Sequence, residues 1–256
     1  MVVARLGRCR LRHRAPLARH VAGVIDTHSH VLPGVDDGAR GIGDAVAMAR
    51  QFVDSGVTAV VCTPHLSTQF RASTEQVTRE LERLRTALTD LGIDLDLRLG
   101  TEFTTTTVRT ATPAELAERA ITGRYVLVEL VSRTSRADAV AAIEAVRAAG
   151  LDPIVAHPER CAAVQREPAI VDELRSRGAL VQVVGPSLVG RVADAVRASA
   201  WSLLGDGLVD LVGSDAHRPL SASIRLDLLA DLIVQRIDRA TAERLLAVTP
   251  ARLLAG

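Results

Sequence analysis

Residues able to hold metal ions recur at fixed points along the chain. Asp26-Thr27-His28-Ser29-His30 carries histidines at i and i+2, which point the same way in an extended chain, so both imidazoles can reach one ion. An HxH pair alone is weak evidence, because two loop histidines arise readily by chance. Behind it, Leu32-Pro33-Gly34-Val35-Asp36-Asp37-Gly38 is a tight turn that returns carboxylates towards the pair. His65 stands in Thr63-Pro64-His65, directly after an apolar run, and taken alone reads as a surface histidine. Glu102 follows Leu99-Gly100-Thr101. Glu129 lies inside the apolar run Tyr125–Leu130, where burial is costly without a cation or a hydrogen-bond partner. An arginine-paired core acid is the competing account of it. His157 occurs in Ala156-His157-Pro158-Glu159-Arg160, and Asp215 and His217 in Gly213-Ser214-Asp215-Ala216-His217. So many apolar runs closing in His, Asp or Glu point jointly to metal.

Imidazole and carboxylate donors without thiolate suit Mn, Fe, Zn or Mg in hydrolytic work rather than a closed structural zinc site. Cys62 sits within an apolar run and reads as a buried core thiol. The donors exceed the needs of one ion and suggest two or three. Such clusters activate water near neutral pH and clamp both ends of an in-line displacement at phosphorus. Asp37, Glu102, Glu129 and Asp215 bring four negative charges. Three divalent ions would exceed them by about two, matching a dianionic phosphate monoester.

The elements that must position these groups alternate regularly. Short β-branched runs fall at Val24–Asp26, Val57–Thr63, Leu95–Leu99, Tyr125–Leu130, Pro153–Ala156, Leu180–Val184 and Leu208–Val212. Their starts lie roughly 27 to 38 residues apart, the size of one strand–helix unit. Amphipathic stretches separate them, such as Gly41–Ser55 with Ala45, Met48, Ala49 and Phe52 on one face, and Thr74–Leu91 with Val77, Leu81, Leu84 and Leu88. Gly56, Gly92, Gly150 and Gly178 stand where a helix should stop. After the seventh run the chain reads as helical, over Ile224–Arg236, Thr241–Ala247 and a short final helix. Repeated units with no break after Gly23 predict one parallel-stranded α/β domain, 24–256, closed as a seven-stranded barrel rather than an open sheet. The candidate ligands all fall at or just after strand C-terminal ends, the face that carries chemistry in a β/α barrel.

Composition narrows the function further. The chain has 256 residues, 48% hydrophobic and 24% charged, enough for an ample core. No apolar run approaches the roughly 18 residues of a membrane helix, so no membrane insertion is expected. Aromatic residues make up only 2%, leaving no stacking platform for nucleic acid. Lys and Asn are absent, which excludes a P-loop lysine, a Schiff-base lysine and an N-glycosylation acceptor. The net charge of +1 hides an asymmetry: residues 1–23 hold six arginines and no acid, leaving 25 basic against 30 acidic residues beyond them. Without the apolar core of a secretory signal, this leader reads as a disordered extension, with an anionic-surface tether as the sharper alternative. Cys9, Cys62 and Cys161 form no CxxC pair and fit a reduced, cytoplasmic protein.

HSHVLPGVDDGA, TPH, GTEF, RYVLVEL, PIVAHPER and GSDAH, in this order, resemble the PHP (polymerase and histidinol phosphatase) superfamily, and within it the CpsB/CapC branch. That branch comprises bacterial manganese-dependent protein-tyrosine phosphatases of capsule and exopolysaccharide systems. The resemblance covers about residues 24–250 and implies a distorted seven-stranded, TIM-like β/α barrel with a trinuclear site. Carried over by motif, His28, His30, Glu102 and Asp215 would hold one ion. Glu102 would bridge to a second, held also by Glu129 and His157, while Asp37, His65 and His217 would hold the third. Mn²⁺ is the foremost ion, with Fe, Zn, Mg and Co as alternatives. Arg160 would bind the substrate phosphate through its donor fork, and Arg218 is the candidate for the family's second phosphate-binding arginine. Three positions depart from the pattern: Leu66 replaces a histidine after TPH, Cys161 replaces an aromatic after the HPER-like arginine, and the stretch after SDAH is compact.

The implied substrate is a phosphotyrosine protein, the C-terminal tail of a bacterial tyrosine kinase, with a homo-oligomer left open. A histidinol-phosphatase-like small-molecule phosphatase is the second reading, against which the LPGVDDGA segment argues. A catalytically silent PHP regulatory module is the third, at odds with a full set of occupied ligand positions. A proofreading exonuclease is disfavoured by the acidic body.

Overall fold

A computed structural model of the chain describes residues 21–190 and 192–255. Most of the Arg-rich leader, 1–20, lies outside the described residues, while Val21 is buried in the core. Nine strands form two sheets, all paired in parallel. The first, in the order β1–β2–β4, joins β1 (Val24–Ser29), β2 (Val57–Cys62) and β4 (Asp96–Leu99). The second runs β3–β5–β6–β7–β8–β9. It comprises β3 (His65–Leu66), β5 (Glu102–Thr104), β6 (Tyr125–Glu129), β7 (Asp152–Ala156), β8 (Leu180–Val184) and β9 (Leu211–Gly213). The helices are α1 (Ile42–Asp54), α2 (Thr74–Asp90), α3 (Thr105–Thr110), α4 (Pro113–Arg119), α5 (Arg136–Ala148), α6 (Ala162–Arg166), α7 (Ala169–Ser176), α8 (Gly185–Val189), α9 (Asp194–Gly205), α10 (Leu226–Arg236), α11 (Arg239–Glu243) and α12 (Thr249–Ala255).

Each helix shows why it forms. α1 buries Ala45, Met48, Ala49 and Phe52 at helical spacing. A fully buried phenylalanine such as Phe52 contributes about 3–5 kcal/mol. Ser73 caps α2, Ser135 caps α5, and Thr112 with Glu115 closes a capping box on α4 around Pro113. Gly56, Gly92, Gly150 and Gly178 all adopt positive φ between helix and strand, as their positions predict.

Two short strands, β3 and β5, follow runs that the sequence ends at Thr63 and Leu99. Pro64 has no N–H to donate and breaks the second run, so His65 opens its own strand, β3. Gly100 breaks the third run, where a Cβ would meet Ile121 Cγ1 at 2.5 Å. Pairing crosses both gaps, from Gly100 N to Cys62 O (2.9 Å) and from Glu102 N to Pro64 O (3.1 Å). The last strand starts at Leu211 rather than Leu208, because Gly207 at φ +72° and the Leu208 N–H to Leu203 O bond still close α9. β9 lies along β1: Asp215 N donates to His28 O and His30 N to Ala216 O, both at 2.9 Å, beside a parallel Ser29–Ala216 bridge.

Strand alternation separates the core. Val126 and Val128 face one cluster with Phe103 and Val146, whereas Leu127 faces another with Val61, Ile154, Ala156 and Leu211. That second cluster draws β2 from one sheet and β6, β7 and β9 from the other. Glu129 follows Leu127 by two residues, so it continues that face to the C-terminal edge of the strands.

Candidate metal centre

The C-terminal ends of the strands bring the predicted ligands together. Glu102 is at their centre. Its Oε2 lies 3.2 Å from His28 Nε2, 3.3 Å from His30 Nε2 and 3.0 Å from His65 Nδ1, while Oε1 lies 2.8 Å from His157 Nε2. Asp215 Oδ1 is 3.6 Å from His28 Nε2 and 3.5 Å from His30 Nε2. His217 stacks on His30 with ring centroids 4.0 Å apart. Asp37, half-exposed, places Oδ1 3.7 Å from His65 Nε2 and 3.4 Å from His217 Nε2. The donors fall into four overlapping groups: His30, Asp37, His65 and His217; His28, His30 and Asp215; His28, Glu102 and His157; His65, Glu102 and Glu129.

The residues behind these donors set which nitrogen faces inward. His28 Nδ1 donates to Gln182 Oε1 at 2.7 Å, and Gln182 Nε2 donates onward to Thr27 Oγ1 at 2.8 Å, which fixes the amide. His30 Nδ1 donates to Asp36 Oδ2 at 2.7 Å, and His217 Nδ1 donates to the Asp215 carbonyl at 3.0 Å. Each Nδ1 therefore carries a proton, so in the neutral ring each Nε2 offers the lone pair. The Nε2 atoms of His28 and His30 consequently face each other at 3.3 Å. Two lone pairs so close repel unless a proton or a metal ion lies between them. Glu102 Oε2 and His157 Nδ1 are buried without a hydrogen-bond partner. These features fit divalent ions.

Electrostatics agrees. Burial opposes protonation of His28, yet Glu102 and Asp215 drive it upward. Burial likewise opposes charge on Glu102, but His28 and His157 hold its carboxyl well below the usual range. A field that attracts protons here attracts metal ions equally. Burial, then Glu102, pushes Glu129 up, as expected of an acid facing another acid. His157 and Asp215 sit at φ +33° and +50°, left-handed conformations strained for non-glycine residues and concentrated at functional sites. At Gly38, a Cβ would meet His30 O at 2.0 Å, so only glycine lets the Asp36–Asp37 turn approach.

The two arginines differ. Arg160 Nη1 meets Asp215 Oδ2 at 2.7 Å, with about a third of the side chain exposed. Neither nearby acid holds it in a surface pair: Glu159 is fully buried and Glu167 pairs with Arg136. Arg218 donates to the Gly38 carbonyl, bracing the same turn.

Sequence reasoning passed over the supporting residues. Gln182 was detectable as the one polar residue in the apolar strand Leu180–Val184. Asp36 and Asp37 are adjacent carboxylates whose division of labour needs the fold. Asp26, fully buried, accepts from Ser214 N (2.8 Å), Ser214 Oγ (2.6 Å) and His28 N (3.2 Å), clasping β1 to β9. Burial pushes its carboxyl up to about 6, against these bonds. Because the folded value lies above the unfolded one, the associated stability is full below about pH 4 and lost as pH rises through 6. Replacing Asp26 with Asn in metal-stripped protein is expected to flatten the unfolding free energy by about 3 kcal/mol across that window relative to wild type. Denaturant titrations from pH 4 to 7 check it, and parallel curves for the two proteins would refute it.

Comparison with known proteins agrees with this geometry. A family model described as capsular polysaccharide synthesis, CpsB/CapC, matches residues 24–255. The chain is 29% identical over 199 residues to tyrosine-protein phosphatase YwqE of Bacillus subtilis, covering 76% of this chain and 77% of the relative. It is 24% identical over 239 residues to tyrosine-protein phosphatase CpsB of Streptococcus pneumoniae, covering 90% of this chain and 98% of the relative. A solved structure from work on YwqE of Bacillus subtilis and CpsB of Streptococcus pneumoniae, described as metal-dependent tyrosine phosphatases, superposes with a TM-score of 0.73 at 24% identity. It covers 90% of this chain and 91% of that chain.

Proposed function

Because the chain belongs to the CpsB/CapC family of capsular polysaccharide synthesis proteins, we propose that it is a metal-dependent protein-tyrosine phosphatase. Its substrate in this reading is the phosphotyrosine tail of a bacterial kinase that controls polysaccharide export. The observation that carries the reading is Glu102 among four histidines, two of which aim Nε2 lone pairs at each other across 3.3 Å. Curated relatives named tyrosine-protein phosphatases support the substrate class.

The proposed ligands are His28, His30, Asp37, His65, Glu102, Glu129, His157, Asp215 and His217, for two or three ions. Mn²⁺ suits this imidazole and carboxylate set, which includes no thiolate. Divalent ions bound there supply Lewis acidity that polarises the phosphoryl group and activates water. The chain's own residues do the rest. Gln182 and Asp36 hold the His28 and His30 rings in the tautomer that ligates. Arg160 stands partly exposed beside the proposed ligand Asp215, which orients it, and its fork can grip non-bridging phosphate oxygens. Arg218 acts through the Gly38 turn that presents Asp37.

The two sheets are read as one seven-stranded β/α barrel. Pairing across the Pro64 and Gly100 gaps, the β9–β1 bonds and an apolar cluster shared by both sheets support this. No described helix is long and apolar enough to cross a membrane. The buried free thiols Cys62 and Cys161 suit a reducing, cytoplasmic setting.

Chelation is expected to abolish turnover of a phosphotyrosine peptide, and Mn²⁺ to restore it best. Histidinol phosphate should compete poorly. Full activity in protein shown by elemental analysis to lack metal would overturn the metal reading, and preference for histidinol phosphate would overturn the substrate.

A further inference from the structure

The loops that follow the strands at this face divide their charges by sign. Every acid in the segments 30–41, 67–73, 130–135, 157–161 and 214–221 is either buried or among the proposed ligands: Asp36, Asp37, Glu159 and Asp215. The remaining charges there are all arginines: Arg40, Arg71, Arg133, Arg160 and Arg218. Elsewhere many arginines are tied to carboxylates, as Arg109 is to Asp138 and Arg177 to Glu144 and Glu173. Three of those at this face are not. Arg40, Arg71 and Arg133 are exposed and make no ion pair among the described residues, and Arg71 bonds only the Thr68 carbonyl.

Each lies on a segment that touches the centre: Arg40 follows Ala39, whose N–H donates to the His30 carbonyl. Arg71 follows Phe70, whose ring stacks on His65 at 5.6 Å. Arg133 follows Ser132, whose carbonyl accepts from Ala162 N, so its loop lies beside the turn carrying Arg160. Exposed guanidiniums without a carboxylate partner beside the centre, on a body that is otherwise net acidic, form a local positive field. A phosphate monoester alone is small and is served by the metal centre and Arg160. Cations set outside these have work to do only on a longer anionic ligand.

We propose that the rim of Arg40, Arg71 and Arg133 selects phosphotyrosine segments that carry further negative charge beside the phosphotyrosine. This rests on the phosphotyrosine reading above and narrows its substrate class to acidic peptides. The extra charge can come from Asp and Glu side chains or from a second phosphotyrosine, and the rim reads what both share.

The test uses peptides of one length with a central phosphotyrosine flanked by Asp and Glu, by Ser and Gly, by Arg, or by Ser and Gly with a second phosphotyrosine. Phosphonate analogues of the same peptides, fluorescently labelled, report affinity by anisotropy on the metal-loaded protein. kcat/KM reports turnover, and 4-nitrophenyl phosphate reports the site without flanks. The two anion-rich peptides are expected to bind about three- to tenfold tighter than the neutral one at low salt, with the gain shrinking as salt rises. Equal gains identify charge as the feature read; a gain from the second phosphotyrosine alone overturns the acidic-flank preference. The double substitution Arg71→Glu with Arg133→Glu is expected to erase or invert the preference while 4-nitrophenyl phosphate turnover stays within about twofold. Hydrolysis of all peptides without preference, or a preference that survives the double substitution, overturns the rim. Preferential binding without hydrolysis of any peptide supports the rim and sinks the phosphatase reading.

Discussion

Glu102→Gln protein is expected to lose activity on the order of a thousandfold, together with at least one bound ion per chain. The carboxylate reaches four histidines, with Oε2 shared among His28, His30 and His65 and Oε1 on His157. The amide keeps the size but turns one oxygen into an N–H donor, which points hydrogen at lone pairs that should face a cation. Charge is lost as well: the negative field that drives His28 upward weakens. Steric change is minimal, so the fold should survive, and circular dichroism with elemental analysis separates loss of metal from loss of structure. Full metal content with wild-type kcat would show that Glu102 is only a hydrogen-bonded core acid.

Arg160→Ala is expected to lower kcat/KM for an aryl phosphate by roughly 30- to 1,000-fold, about 2–4 kcal/mol. The guanidinium tightens its grip as charge builds on equatorial oxygens in the transition state. Arg160→Lys keeps the charge without the fork and should recover only part of the loss. The Asp215 contact adds a check. If Arg160 served only to hold Asp215, metal content would fall in the Ala protein and excess Mn²⁺ would rescue it. If it binds phosphate, the fully loaded Ala protein stays slow. Wild-type turnover by that loaded protein would leave Arg160 without a role in the reaction.

Much of this was legible because the signals are periodic or chemical. Alternation at two residues separates Leu127 from its neighbours and sets Glu129 on the same face, and β-branched runs at regular spacing mark all the major strands. Gly56, Gly92, Gly150 and Gly178, all at positive φ, could be placed from helix ends alone, whereas Gly190 and Gly207 were not. The breaks at Pro64 and Gly100 were harder, because a proline or glycine weakens a strand without stating whether pairing resumes beyond it. The supporting shell was least visible. Asp36 rather than Asp37 holds His30, a choice made by the Gly38 turn folding onto the His30 carbonyl. Asp26 meets Ser214 only through the return of the chain, and no local pattern encodes that contact.

That return has a consequence for how the molecule comes into being. Asp26 and Ser214 are 188 residues apart, and the bonds between their strands close nearly the whole length of the described chain. Contacts of such separation pay their loop-closure entropy late, after local strand–helix units have formed. Until then β1 has a bare edge, the Asp26 carboxylate lacks its Ser214 donors, and His28 and His30 stand apart from Asp215 and His217. A nascent chain emerging from the ribosome, or one clipped before Leu211, therefore lacks Asp215 and His217, the donors that complete the groups around His28, His30 and Asp37. The full donor set is complete only when the last segment to be made has folded back against the first.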